Sequence, residues 1–144
     1  MPRMNRRMLL QAVPLSVLLP AGIAEAMQQT TSSKVYELRI YHAVPGKLDS
    51  LLARFRDHTD KLFAKHGMRS LAYWTALDEP AKSTTLAYIL EHPTREAAAA
   101  NWKAFQDDPE WQAVKAKSEE NGKLVEKVDS TYLTLTDFSK VPQS

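Results

Sequence analysis

Hydrophobic periodicity changes in a fixed order along residues 34–139 of this 144-residue chain, and that order limits the fold more than any other feature. Residues 34–43 alternate and are rich in β-branched and aromatic side chains, which predicts a strand. Pro45-Gly46 supplies a turn. From Leu48, the positions of Leu51, Leu52, Phe55, Leu62 and Phe63 follow one face of a helix, and Gly67 after His66 is a helix stop. Residues 68–76 and 83–91 read as a hairpin around Asp78-Glu79-Pro80, with a loop of about six residues. A helix is expected over 93–105, broken by Asp107-Asp108-Pro109. A short helix over 110–117 and a last strand over 126–137 complete the pattern. The order β-α-β-β-α-β is the ferredoxin-like layout of an α+β fold, in which two helical layers cover one face of a four-stranded antiparallel sheet.

The other face of that sheet also needs a cover. Tyr36, Leu38 and Ile40 form the more apolar side of the first strand and are expected under the helices, with Glu37, Arg39 and Tyr41 facing away. The middle strands carry Leu71, Tyr73, Trp74, Leu86, Tyr88, Ile89 and Leu90, so large apolar groups fall on both of their faces. A large apolar face marks an interface or a pocket. Two such sheets packed together would close a barrel between two copies, so a homodimer is expected.

The first 26 residues read as an export signal. Arg3, Arg6 and Arg7 form a basic start, residues 8–23 are apolar but interrupted by Pro14 and Pro20, and Ala24-Glu25-Ala26 suits a signal peptidase. Arg6-Arg7-Met8-Leu9-Leu10-Gln11 is similar to a twin-arginine signal; a Sec signal is the alternative. Residues 27–33 are expected to be a flexible leader, 34–139 the folded domain and 140–144 a tail. The mature protein is then periplasmic or secreted, with no stable membrane insertion after the signal is removed.

Charge narrows the partners. Three of the 19 basic residues but only one of the 17 acidic ones lie in the first 26, so the remainder is formally neutral. That gives no footprint for a phosphate backbone, and no nucleic-acid partner is expected. The chain has no cysteine, which removes disulfides, thiolate metal ligands and a cysteine nucleophile. No HxH, HExxH or other metal-ligand spacing, P-loop or G-x-G-x-x-G is present, so no metal and no cofactor is implied.

The candidate site residues are few. Glu37, Arg39 and Tyr41 share a strand face, so a closed barrel would gather a carboxylate, a guanidinium and a phenol in one cavity walled by Trp74 and Tyr88. They would either anchor a small ligand or form an ion pair that orients the two subunits. His58 lies on the expected buried stripe, as a satisfied core histidine or at the barrel mouth. His66 ends the first helix, where a cation is favoured. His42 and His92 close strands and read as rim residues, and Trp111 reads as a packing anchor.

Four segments carry a family resemblance: Val35-Tyr36-Glu37-Leu38-Arg39-Ile40-Tyr41 with Pro45-Gly46-Lys47, Lys65-His66-Gly67-Met68, Ala72-Tyr73-Trp74, and Asp107-Asp108-Pro109-Glu110-Trp111. Together they resemble the NIPSNAP family from about Val35 to Ser139. The resemblance implies a dimeric α+β barrel and no settled enzymatic activity. Three readings follow: an exported dimer that binds a small, partly apolar ligand; a cofactor-independent enzyme like the small monooxygenases, using His58 or His66 with a tyrosine; or a structural dimer with a filled barrel.

The export reading has a direct test. Changing Arg6 and Arg7 together to Lys should abolish periplasmic accumulation in a cell-fractionation assay. An unchanged periplasmic yield would point to the Sec route.

Overall fold

The computed structural model describes residues 34–140, so the expected signal and leader over 1–33 and most of the expected tail, 141–144, lie outside the described residues. Four strands, β1 (Val35–Ala43), β2 (Arg69–Thr75), β3 (Thr85–His92) and β4 (Val125–Leu133), form one antiparallel sheet in the order β2-β3-β1-β4. The helical layer holds α1 (Leu48–Arg54), a π-helical turn (Phe55–Thr59), α2 (Asp60–Lys65), α3 (Arg95–Asp107) and α4 (Pro109–Ser118). This is the ferredoxin-like α+β fold that the periodicity predicts.

Local chemistry sets the boundaries. Thr94 caps α3, its hydroxyl accepting from the Ala97 N–H at 3.0 Å. Asp108 caps α4 by accepting from the Glu110 N–H at 2.8 Å, and Pro109 starts that helix where its missing N–H costs nothing. Gly67 ends α2 with φ +73°, and a Cβ there would stand 3.1 Å from the Asn101 side chain. The loop between β2 and β3 is longer than predicted, because a 3₁₀ turn (Ala81–Ser83) occupies part of it. β4 stops at Leu133, short of residue 137, because its last partner is Tyr36, one residue from the start of β1.

One expectation is reversed. Glu37, Arg39 and Tyr41 lie under the helices, while Tyr36, Leu38 and Ile40 lie on the outer face. The contacts settle this: Glu37 bonds Trp102 of α3, and Tyr41 packs on Phe55 at 5.5 Å between ring centroids. Across the sheet, Arg39 pairs with Tyr88 and Tyr88 with Tyr73, so these three share the helix-side face. The physical reason is that polarity alone does not bar a side chain from the core once its hydrogen bonds are made.

The core forms around Leu51, Phe55, Leu62, Phe63, Met68, Leu86, Tyr88, Leu90, Phe105 and Leu124, all buried. Aromatic rings dominate it, with Phe63 touching Tyr88, Trp102 and Phe105 at 5.8, 5.4 and 5.0 Å. The outer face carries Leu38, Ile40, Ala72, Ala87 and Ile89 at intermediate exposure, with Trp74 49% exposed. No helix among the described residues is long and apolar enough to cross a membrane.

Candidate functional site

The π turn decides what the first helical segment shows to each side. Its wider spacing adds one residue to the repeat, so Thr59 takes the buried position and His58 is exposed. The Thr59 hydroxyl donates to the Arg54 carbonyl at 3.2 Å. His58 is therefore neither a core histidine nor near the Glu37 row; it borders a surface groove with Arg54 and Asp57.

Glu37 is the centre of a polar cluster inside the core. It is 1% exposed. One carboxylate oxygen accepts from Arg39 Nη1 and Ser130 Oγ, both at 2.7 Å. The other accepts from Trp102 Nε1 at 2.6 Å and His92 Nε2 at 3.0 Å. Burial pushes the carboxyl up, but the bonds from His92, Trp102, Ser130 and Arg39 outweigh it and hold it down at about 2. His92, expected at the rim, is completely buried; its position at the end of β3 directly opposite Val35 carries it inward.

The Arg39 guanidinium stands over the Trp102 ring, 4.2 Å from its centroid, and reaches the Tyr41 hydroxyl at 3.5 Å. Its Nε has no partner among the described residues. Tyr88, in the same row, has neither a well-formed hydrogen bond on its hydroxyl nor any solvent exposure. Burial, and then the neighbouring Tyr41, raise its ionisation well above the usual phenol range.

A cavity of about 360 Å³ adjoins this row at the β2 edge, lined by Leu52, Phe55, Arg56, Asp60, Tyr73 and Leu86. Tyr73 donates to Asp60 Oδ1 at 2.7 Å, and Ser70 donates to the same oxygen. Burial, followed by the bond to Asp60, raises the Tyr73 phenol above its ordinary value. The cavity thus has apolar walls, one carboxylate and a guanidinium at the rim.

The sequence-predicted residues divide among separate places. Glu37, Arg39, Tyr41 and Tyr88 come together, but between sheet and helices. Trp74 sits on the opposite face and cannot wall a cavity with Tyr88. His66 caps α2 and pairs with Asp108 at 2.7 Å, where Lys65 also binds at 2.8 Å. Those two bonds, Lys65 first, hold the Asp108 carboxyl below its usual range. Trp111 packs on Phe105 at 4.6 Å, an anchor as expected. Sequence reasoning missed His92, Trp102 and Ser130 as partners of Glu37, and Asp60 with Tyr73 at the cavity. The indole N–H of Trp102 on a helix above a strand carboxylate was the one available signal.

The fold and this buried cluster define a ferredoxin-like α+β protein with a polar centre between its two layers. The NIPSNAP family model matches residues 36–140, and the chain belongs to the NIPSNAP family. No curated protein matches it. Among solved structures it is similar to an uncharacterized NIPSNAP-like domain protein from Burkholderia xenovorans, with TM-score 0.65 and 18% identity over 76% of this chain and 91% of that one. It is also similar to two NIPSNAP family proteins from Agrobacterium tumefaciens. One, of unknown function, has TM-score 0.64 and 16% identity over 76% and 94% of the two chains. The other has TM-score 0.64 and 22% identity over 74% and 96%. These likenesses carry the fold.

The Glu37 cluster makes stability pH-dependent in a stated direction. A carboxyl held at about 2 rather than its ordinary 4.5 stabilises the fold fully above pH 4.5 and loses that contribution as pH falls toward 2. The shift corresponds to about 3 kcal/mol. Glu37→Gln should lower stability at neutral pH and flatten its fall between those limits in pH-resolved thermal melts. Arg39→Leu should cost roughly 3–5 kcal/mol by leaving the carboxylate without its permanent countercharge. Combining both changes should restore much of that loss; no recovery would show that Arg39 acts through Trp102 rather than through Glu37.

Proposed function

We propose that this NIPSNAP protein is an exported homodimer that binds a small, partly apolar ligand. The ligand lodges between sheet and helices, in the cavity of about 360 Å³ at the β2 edge. The observation that carries the reading is the chemistry of that cavity. Its volume suits a small molecule, its walls are Leu52, Phe55, Leu86 and Tyr73, and its polar groups converge on Asp60. Both hydrogen bonds that reach Asp60 end on Oδ1, which leaves Oδ2 to accept from a ligand hydroxyl or amine. Arg56 at the rim adds a second polar contact.

Support for the dimer comes from the outer face of the sheet. Leu38, Ile40, Ala72, Ala87 and Ile89 form a continuous apolar surface bordered by Trp74 and Leu133. A second copy laid face to face would cover it and close the barrel. Export is supported by the arginine pair and the cleavage pattern of the first 26 residues.

Native mass spectrometry of protein purified from the periplasm tests both parts. The expected species is twice the chain mass with a small molecule retained. Asp60→Asn should weaken retention about ten-fold without changing the dimer. Ile89→Glu should give monomers, since an unpaired carboxylate in an apolar interface costs several kcal/mol. A wild-type monomer at micromolar concentration would end the dimer reading, and a dimer that retains and takes up no small molecule would end the ligand reading.

A further inference from the structure

We propose that the cavity at the β2 edge selects zwitterionic α-amino acids with an apolar side chain, taking the ammonium group on Asp60 and the carboxylate on Arg56. This rests on the ligand reading given above and names the chemical class that the cavity takes. Asp60 and Arg56 both line the cavity of about 360 Å³, and they are its two charged groups.

Asp60 is the ammonium end. Ser70 Oγ donates to its Oδ1 at 2.5 Å and Tyr73 Oη at 2.7 Å. Both donors are neutral, and no cation stands beside the carboxylate among the described residues. Burial, and then Asp60 itself, hold the Tyr73 phenol above its ordinary ionisation, so it stays a donor and fixes the carboxylate in place. Oδ2 receives no hydrogen bond, yet it is open rather than buried, so a ligand reaches it. A half-buried carboxylate with an open oxygen and no countercharge is matched by an ammonium group.

Arg56 is the carboxylate end. It lies exposed in the π turn, four residues before Asp60. Opposite charges at that spacing are neighbours on a helix surface and ordinarily pair. Here no ion pair joins them, and Arg56 has no other partner among the described residues. Two opposite charges on one rim, each without a countercharge, are satisfied together by a ligand that carries both. A plain amine on Asp60 would face Arg56 without relief, and a plain carboxylate on Arg56 would face Asp60. The apolar side chain then enters between Leu52, Phe55, Tyr73 and Leu86. The Phe55 and Tyr73 rings stand edge to face there at 5.8 Å, and the volume holds a branched or aromatic side chain.

The test titrates the whole protein, as purified from the periplasm, with four probes of one shape and follows amide chemical shifts. The probes are L-phenylalanine, phenethylamine, 3-phenylpropionate and 2-phenylethanol. Phenylalanine should bind and shift Tyr73 and Leu86, with each of the other three about ten-fold weaker. Arg56→Gln, a change at an exposed helix position, should remove the preference for phenylalanine over phenethylamine. Asp60→Asn, which keeps an oxygen for Ser70 and Tyr73, should remove its preference over 3-phenylpropionate. If phenethylamine, 3-phenylpropionate or 2-phenylethanol binds as well as phenylalanine and shifts the same residues, the amino-acid proposal falls and the ligand reading stands. Shifts at Ala64 and Gly67 instead would also overturn it, by placing the probe on the other side of Asp60. If no probe binds, the proposal falls, and the presence or absence of a retained molecule in the native mass spectrum decides the ligand reading separately.

Discussion

A single buried carboxylate ties the layers of this protein together. The four donors to Glu37 come from β1, β3, β4 and α3, so each element must be in register before the charge is satisfied. An ionised carboxylate inside a protein is tolerated only with such partners. The apolar core would hold a helix against a sheet in many neighbouring registers; the Glu37 bonds select one. Trp102 serves both purposes, packing its ring on Phe63 while its N–H reaches the carboxylate.

The aromatic row beside this centre separates two kinds of chemistry. On one side, Glu37 and Arg39 are closed in by Tyr41, Tyr88 and Trp102. On the other, Tyr73 and Phe55 border space that a small molecule would fill. The polar residues most prominent in the sequence therefore specify the fold, and a less conspicuous pair, Asp60 and Tyr73, faces the cavity. The enzymatic alternative depended on His58 or His66 beside a tyrosine. The structure gives His66 to Asp108 and Phe105, and His58 to a surface groove.

Much of the architecture was legible because it rests on local signals. The Asp107-Asp108-Pro109 break became a cap and a helix start, and Gly67 ended its helix with a positive φ. What stayed hidden depends on distant partners. The facing of β1 is decided by residues 55, 65 and 93 positions from Glu37, whose bonds let the more polar stripe of that strand face the core. His92 looked like a rim residue because nothing nearby in the sequence announces its bond to Glu37. His58 was misplaced because a helical wheel assumes one unbroken period, and no residue between 55 and 59 breaks it by composition.

That widened turn also has a consequence for how the chain can vary. Each residue of a helix turns the following ones by about 100°, so an extra residue held in a π turn is a stored rotation. Losing one residue from 55–59 would return the segment to ordinary winding with Leu62 and Phe63 still on the sheet, whereas unwinding the π turn with all five residues kept would swing them off it. Loops elsewhere in the molecule absorb changes of length at little cost. Here the winding itself absorbs one residue, and relatives that lack it should run as an unbroken α-helix with four residues between Arg54 and Asp60.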